Sequence, residues 1–246
     1  MLERLDPFVE RLRNALGGEL VSVVLYGSAA VGDYKDKVSD LNLLCVLRTV
    51  DLTRLEQAHQ PVEWWLKQGQ PPPVFLSVEE VRNARDTFAI EFVDITHGYK
   101  LLFGEDLVAD IRVEPTHHRY QVEHELRSAL LRLRERYLAL QNDRKQVLAL
   151  MRDSAPTFAT LFRHALILAG EPVRMRKREA FEAAAQRFGL DVAPFQTLLD
   201  VREGARRLND NELRPVFEKY LAEITRAAEA VDRLHPAAGR NEEESR

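Results

Sequence analysis

The chain has 246 residues, of which 45% are hydrophobic and 30% charged, with a formal net charge of -4. This composition is typical of a globular protein with one large or two modest domains. The mildly acidic balance argues against a general attraction to nucleic acid backbones, so we expect no nucleic acid partner. Apolar residues near the N-terminus are mixed with charges, and no later run approaches the ~18 apolar residues of a membrane span. We therefore expect neither a secretion signal nor a membrane anchor.

The sequence contains a single cysteine, Cys45, inside an apolar run. A lone cysteine cannot form a disulfide within the chain, and its apolar neighbours predict a buried, unreactive thiol. Both features favour a reducing, cytoplasmic compartment.

Short apolar runs alternate with amphipathic stretches over residues 1–114. The patterns predict, in chain order, a helix ending at Gly17-Gly18, a strand at 20–26, a strand at 40–47, a helix capped by Asp51 or Thr53, an apolar run in 71–77, a short helix opened by a capping box of Ser77 and Glu80, and a strand at 87–95. Strands interleaved with helices over this length indicate one α/β domain, for which we expect a mixed sheet.

The pattern becomes helical from Pro115 onward. Apolar residues at helical spacing predict helices at about 118–141, 156–169, 178–188, 194–207 and 211–234. We therefore expect an all-helical bundle domain at 115–235. Residues 236–246 are polar and lack apolar periodicity, so a flexible tail is predicted there.

The first two predicted strands bring polar residues to one place. Because side chains alternate along a strand, Asp40 and Asn42 share one face at the start of the second strand. The Gly27-Ser28 turn ends the first strand, and the free backbone N–H groups of such a turn can hold a phosphate. A phosphate grip beside a carboxylate that can bind a divalent cation is what nucleotide chemistry requires.

These residues resemble the signature of the DNA polymerase β-like nucleotidyltransferase superfamily, which is Gly-Ser, a short helix, then Asp-x-Asp or Asp-x-Glu on the next strand. The stretch "LYGSAAVGDYKDKVSDLNLLCVL" (25–47) carries the resemblance, including Gly32-Asp33 and the Ser39 that precedes Asp40. An α/β domain followed by a helical domain is similar to aminoglycoside nucleotidyltransferases and to several bacterial relatives without assigned substrates. The chain departs from the signature at Asn42, where a second acid is expected.

The resemblance implies Mg²⁺-dependent transfer of a nucleoside monophosphate from a nucleoside triphosphate to a hydroxyl of a small molecule or a protein, with ATP as the expected donor. Gly27 and Ser28 would bind the phosphates. Asp40 and Asn42 would occupy the paired ligand positions for one or two Mg²⁺ ions. A third carboxylate would come from a later strand.

Two acids in the predicted strand at 87–95 are candidates for that third carboxylate. Glu91 and Asp94 differ by an odd number of positions, so only one of them can face the site from a regular strand. Glu91 lies between Ile90 and Phe92, where an acid without a metal or basic partner would be costly to bury. We therefore favour Glu91 as a catalytic residue and metal ligand, with Asp94 as a strand-end or solvent-facing acid.

The amide at position 42 leaves two interpretations of the function open. An amide oxygen can bind Mg²⁺, but Asn42 contributes no charge to balance the metal. Asp40 and the phosphates can still hold one ion, whereas the ion that activates the acceptor loses an anionic ligand. The protein is then either a slow or specialised transferase, or a catalytically degenerate nucleotide-binding regulatory or interaction protein, such as one member of a toxin–antitoxin-like pair.

The helical domain offers further candidates. Glu123 is a candidate base, because related antibiotic-modifying enzymes draw an acid from that region; its alternative role is an (i, i+4) ion-pair ladder with Arg119 and Arg127. Arg174 and Lys177 belong to the densest basic run and are candidates to reach a triphosphate. The alternative for that run is a solvated loop.

Overall fold

The computed structural model describes residues 4–27, 29–30, 41–172 and 176–234. The chain divides into two compact units, Met1–Glu114 and Pro115–Arg246. The first unit is built around a β-sheet, and the second is helical in its described part.

The described part of the first unit contains four strands and four α-helices. The strands are β1 (Leu20–Tyr26), β2 (Asn42–Leu47), β3 (Val74–Ser77) and β4 (Tyr99–Gly104), and the helices are α1 (Leu5–Leu16), α2 (Leu52–Lys67), α3 (Val78–Asn83) and α4 (Ala89–Thr96). Asp51 caps α2 by accepting a hydrogen bond from the Arg54 N–H, and Ser77 and Glu80 form the predicted capping box at α3.

The four strands form one mixed sheet in the order β3-β2-β1-β4. The central strand β1 pairs antiparallel with β2 and β4, whereas β2 and β3 are parallel. At the end of β1, Tyr26 lies directly opposite Asn42 on β2 and opposite Tyr99 on β4. The predicted mixed sheet is confirmed. The end of β1 and the start of β2 lie side by side at one end of the sheet.

Alternation along β2 sends its side chains into two separate cores. Leu43 and Cys45 pack in the core that includes α1 and α2, whereas Leu44 and Val46 pack in the core that includes α3 and α4. Because Asn42 has the same parity as Leu44 and Val46, it lies on the face of the sheet covered by α4. Cys45 is fully buried, as predicted, and this burial raises the pKa of its thiol.

The predicted strand at 87–95 is wrong, because Ala89–Thr96 form the helix α4. An apolar run of this length fits a buried strand and a buried helix equally well by periodicity. The helix is favoured by burial of Ala89, Phe92 and Val93, which are spaced at i, i+3 and i+4 and so fall on one side of a helix. The two acids within this run are therefore carried by a helix.

The second unit contains five described helices. They are α5 (Pro115–Leu140), α6 (Arg144–Leu168), α7 (Lys177–Phe188), α8 (Ala193–Arg202) and α9 (Asp210–Asp232). Helix α6 begins well before its predicted start near residue 156 and continues through Pro156, with Asp143 as its N-cap. Among the described residues, no helix is both long enough and apolar enough to cross a membrane.

An aromatic cluster fills the core of the second unit. Phe195 stacks on Phe181, with ring centroids 4.6 Å apart, and meets Phe162 and Tyr220 edge-on at 5.2 and 5.4 Å. All four side chains are at most 1% exposed. These contacts tie α6, α7, α8 and α9 together through one hydrophobic core.

Candidate functional site

The candidate site begins at the turn that follows β1. Gly27 has a φ of 79°, which favours glycine, and its N–H donates a hydrogen bond to the Gly98 carbonyl at 3.2 Å. The Ala30 N–H donates to the Gly27 carbonyl at 2.9 Å and closes the turn. The N–H groups of Gly27 and Ala30 therefore both donate to carbonyls of the protein, and neither is available to an anion at this turn. Ser28, the predicted phosphate-binding partner of Gly27, lies outside the described residues.

Asn42 lies against this turn. A Cβ added to Gly27 would lie 3.2 Å from Asn42 Nδ2, so the amide of Asn42 occupies the space beside the glycine. The contact brings together two of the residues that the sequence predicted for the site, the phosphate turn and the second ligand position. Asp40, the first ligand position, lies outside the described residues.

The α4 acids approach the same end of the sheet. Burial, followed by the negative charges of Asp94 and Glu91, raises the pKa of the Tyr26 phenol, which lies opposite Asn42. Asp94 is half-buried and Glu91 is exposed. The charges of both acids therefore act on the strand end where the turn and Asn42 meet.

The helical conformation changes the argument about the third carboxylate. Residues three apart on a helix are neighbours on its surface, so Glu91 and Asp94 lie on one side of α4. The expectation that only one of them can face the site was based on a strand, and the helix removes that basis. The preference for Glu91 over Asp94 loses its basis with it, and Asp94 is the more buried of the two.

The donor atoms around Asn42 suit a hard divalent cation. An amide oxygen and carboxylates are the ligand types that Mg²⁺ takes in proteins. Within the described ranges, however, no group of three His, Cys, Asp or Glu side chains is close enough together to hold a metal ion. A magnesium ion here would need Asp40 in addition to Asn42 and an acid of α4.

Glu123 forms the predicted ion-pair ladder in the second unit. Its carboxylate accepts hydrogen bonds from Arg119 at 3.0 Å and from Arg127 at 2.8 Å. The side chain of Glu123 is 19% exposed, and each of its oxygens contacts one guanidinium. The ladder is confirmed, and the role of Glu123 as a base stays a prediction.

Only part of the basic run in the second unit belongs to the described residues. Arg174 lies outside the described residues, and Lys177 is an exposed residue at the start of α7. Their neighbours form ion pairs, since Arg176 lies 3.5 Å from Glu179 and Arg178 lies 2.9 Å from Asp200. The two arginines thus contribute to the surface of the helical unit, and phosphate binding by Arg174 and Lys177 stays a prediction.

The sequence reasoning missed Tyr26 and Gly98. Gly98 closes the turn through its carbonyl, and nothing in the sequence around it indicates that contact. Tyr26 could have been found, because it directly precedes Gly27 and strand alternation places it on the same face as Val24, opposite the face of Leu25.

Comparison with known proteins identifies the fold. No protein-family model matches the chain, and no curated protein matches its sequence. Among solved structures, the chain is similar to a spectinomycin adenyltransferase from Enterococcus faecialis, whose structure was determined with ATP and spectinomycin. The TM-score is 0.61 at 12% sequence identity, over 94% of this chain and 99% of the other. A likeness at this identity establishes a fold and leaves the reaction to be argued from the site. The chain therefore has a nucleotidyltransferase-like fold, an α/β domain with a mixed sheet followed by a helical domain.

Proposed function

We propose that the protein is a Mg²⁺-dependent nucleotidyltransferase that moves a nucleoside monophosphate, with ATP as donor, to a hydroxyl of a small molecule. The observation that carries the proposal is the contact between Asn42 and the Gly27 turn at the paired ends of β1 and β2. Further support comes from the fold, which is shared over nearly the full length of an ATP-using adenyltransferase. Residues 1–114 would carry the reaction, and the helical domain at 115–235 would recognise the acceptor.

The residues of the first unit have distinct roles in this proposal. The N–H groups of Ser28 and Ala29 would bind phosphate oxygens. Asp40, Asn42 and an acid of α4, either Glu91 or Asp94, would hold the magnesium ion. When bound, Mg²⁺ would supply charge neutralisation on the triphosphate and a lower pKa for the attacking hydroxyl.

The transfer itself needs a base near the acceptor. The acceptor oxygen forms a bond to the α-phosphorus, the bond to the β-phosphate oxygen breaks, and pyrophosphate leaves. The hydroxyl proton passes to a carboxylate, for which Asp94, Glu91 and Glu123 are the candidates. An acid of α4 is the better candidate of the three, because both oxygens of Glu123 already accept hydrogen bonds from arginines.

Calorimetric titration tests the binding half of the proposal without an acceptor. ATP and GTP are titrated into the wild type and into Asp40→Ala, each with Mg²⁺ and with EDTA. We expect the wild type to bind ATP more tightly when Mg²⁺ is present. We expect Asp40→Ala to lower this affinity at least tenfold, since a metal contributes several kcal/mol. Glu56→Ala, a change of an exposed acid on α2, is the matched control. Equal ATP affinity for wild type and Asp40→Ala would contradict the assigned site.

A non-catalytic nucleotide-binding protein is the second candidate function, and the amide at position 42 is the observation that favours it. An active transferase releases pyrophosphate when the acceptor is present, whereas a binding protein retains intact ATP. Pyrophosphate release is therefore measured against a panel of hydroxyl compounds that includes spectinomycin, for wild type and Asn42→Asp. Release by Asn42→Asp alone would identify a degenerate site, and release by wild type would identify an enzyme.

A further inference from the structure

Three polar side chains lie in a row at one end of the sheet, and the one at position 42 is an amide where the family signature has an acid. Asn42, Tyr26 and Tyr99 lie side by side on three adjacent strands, β2, β1 and β4. Side chains of directly paired residues on one face have Cβ atoms roughly 5 Å apart, so Asn42 and Tyr26 are cross-strand neighbours. Both side chains are half-buried, and Tyr26 packs against the core that α4 covers.

Tyr26 and Tyr99 differ in how their hydroxyl groups are used. The Tyr99 hydroxyl donates to Asp106 Oδ2 at 2.9 Å, so it is committed to the loop that follows β4. Within the described ranges, the Tyr26 hydroxyl and the Asn42 amide make no side-chain hydrogen bond to another residue. A phenol and an amide keep their protons at neutral pH, so each presents a donor at the strand end.

The Asn42 amide lies at the turn, and Tyr26 is next to the turn in sequence. Asn42 Nδ2 lies beside Gly27, at 3.2 Å from the position of an added Cβ, and Tyr26 is the residue immediately before that glycine. The Gly27 N–H is already bonded to the Gly98 carbonyl, so this N–H is not available to a phosphate at the turn. An acid at position 42 would repel a phosphate placed here, whereas an amide can donate to it.

We propose that Asn42 and Tyr26 form a neutral donor pair that hydrogen-bonds a phosphate oxygen of the nucleotide at the Gly27 turn. This proposal rests on the proposed function and assigns Asn42 a second role, in which its Nδ2 binds phosphate while its Oδ1 is available to a metal. The pair binds phosphate without a metal ion, so the protein retains affinity for a triphosphate when magnesium is removed. Asn42 in place of an acid then adds a phosphate donor at this position and removes one negative charge from the metal site.

The test measures binding of metal-free phosphate ligands. ATP, tripolyphosphate and adenosine are titrated by calorimetry in EDTA, and ATP also in Mg²⁺, into wild type, Asn42→Asp, Tyr26→Phe and Tyr99→Phe. Hydrogen bonds to charged groups contribute enough for each lost donor to cost about tenfold in affinity. We expect Asn42→Asp and Tyr26→Phe each to weaken ATP and tripolyphosphate in EDTA by about that factor and to leave adenosine unchanged. Tyr99→Phe, the matched control, should bind like wild type.

The outcomes separate this proposal from the proposed function. Wild type that binds ATP with Mg²⁺ but not in EDTA would overturn the donor pair and leave the transferase standing. Asn42→Asp that binds tripolyphosphate in EDTA as tightly as wild type, or Tyr26→Phe that matches Tyr99→Phe, would also overturn the pair alone. Wild type that binds ATP in neither condition would overturn both. Thermal unfolding of each variant confirms that the near-isosteric changes leave the fold intact.

Discussion

At the scale of single residues, the candidate site depends on one glycine. Gly27 combines a positive φ with close approach of the Asn42 side chain, whereas Gly69 has a similar φ of 75° and nothing within 4 Å of an added Cβ. A comparison of alanine substitutions at Gly27 and Gly69 therefore separates the cost of backbone strain from the effect of displacing the Asn42 side chain.

Gly27→Ala and Gly69→Ala should each lower the free energy of unfolding by about 1–2 kcal/mol, the cost of alanine at a positive φ. Only Gly27→Ala should also weaken ATP binding, because its methyl group displaces the Asn42 amide. Chemical denaturation and calorimetry measure the two effects. Equal ATP affinity for both variants would show that the contact with Asn42 has no part in binding.

Gly104 at the end of β4 is required for stability. An added Cβ would overlap the backbone carbonyl oxygen of Val21, and φ is 78°. We expect Gly104→Ala to lower the free energy of unfolding by about 3 kcal/mol, from strain and from the steric overlap. Denaturation of Gly69→Ala in parallel measures the cost of backbone strain alone. An equal loss of unfolding free energy for both variants would mean that β4 shifts to relieve the overlap without cost.

At the scale of elements, β1 and β2 were predictable and α4 was not. Alternation along β2 placed Asn42 on the face of Leu44 and Val46, and the two separate cores confirm that parity. The run at 87–95 is apolar nearly throughout, so neither a period of two nor of 3.6 stands out. The tertiary fold selects the helix, because α4 covers the sheet face that carries Tyr26 and Asn42.

The position of α4 predicts a shift in the ionisation of Tyr26. Burial and the negative charges of Asp94 and Glu91 disfavour the phenolate and raise the pKa of Tyr26. Asp94→Asn removes one of these causes, so Tyr26 should ionise at a lower pH than in wild type. Ultraviolet absorbance near 295 nm during a pH titration measures this, with Tyr26→Phe subtracted to isolate the one phenol.

Glu91→Gln is the comparison for this titration and should lower the pKa of Tyr26 less than Asp94→Asn does, because Glu91 is the weaker cause. The raised pKa of Tyr26 also makes the stability of the folded state depend on pH. Above the ordinary phenol pKa of 10.0 the unfolded chain loses this proton first, so the contribution of Tyr26 to stability falls as pH rises beyond that value. A titration curve unaffected by Asp94→Asn would place α4 away from the strand end.

At the scale of the whole molecule, the second unit has an aromatic core of its own, beside the two cores on either face of the sheet in the first unit. Phe195 lies at the centre of the aromatic cluster of the second unit and is 1% exposed. Phe195→Ala should cost about 3–5 kcal/mol of unfolding free energy, from lost transfer energy and a cavity. Leu138→Ala, at a position that is 68% exposed, should change it by less than about 0.5 kcal/mol.

Far-UV circular dichroism during denaturation is dominated by the helices of the second unit, which contains most of the helical residues. Both tryptophans lie on α2, so their fluorescence reports on the first unit. The helical transition of Phe195→Ala should therefore move to lower denaturant concentration. Identical transitions for Phe195→Ala and Leu138→Ala would contradict the central place of Phe195.

The architecture of the molecule could be predicted from its sequence, whereas the acceptor could not. The Gly-Ser turn and the strand after it resemble a family signature in which phosphate and metal binding restrict the residue types at each position. The helical unit carries only core periodicity, visible in α6 and α9, and this pattern fits any bundle. In the proposed function, acceptor recognition would depend on surface residues of that unit, which no general rule specifies.

The most direct test is a structure of the protein with ATP and Mg²⁺. We predict that the triphosphate lies against the Gly27 turn, with a phosphate oxygen within hydrogen-bond distance of Asn42 and with the metal between Asp40 and the phosphates. A nucleotide bound at another place, or a strand end that remains without nucleotide at saturating ATP, would contradict the assignment of this site.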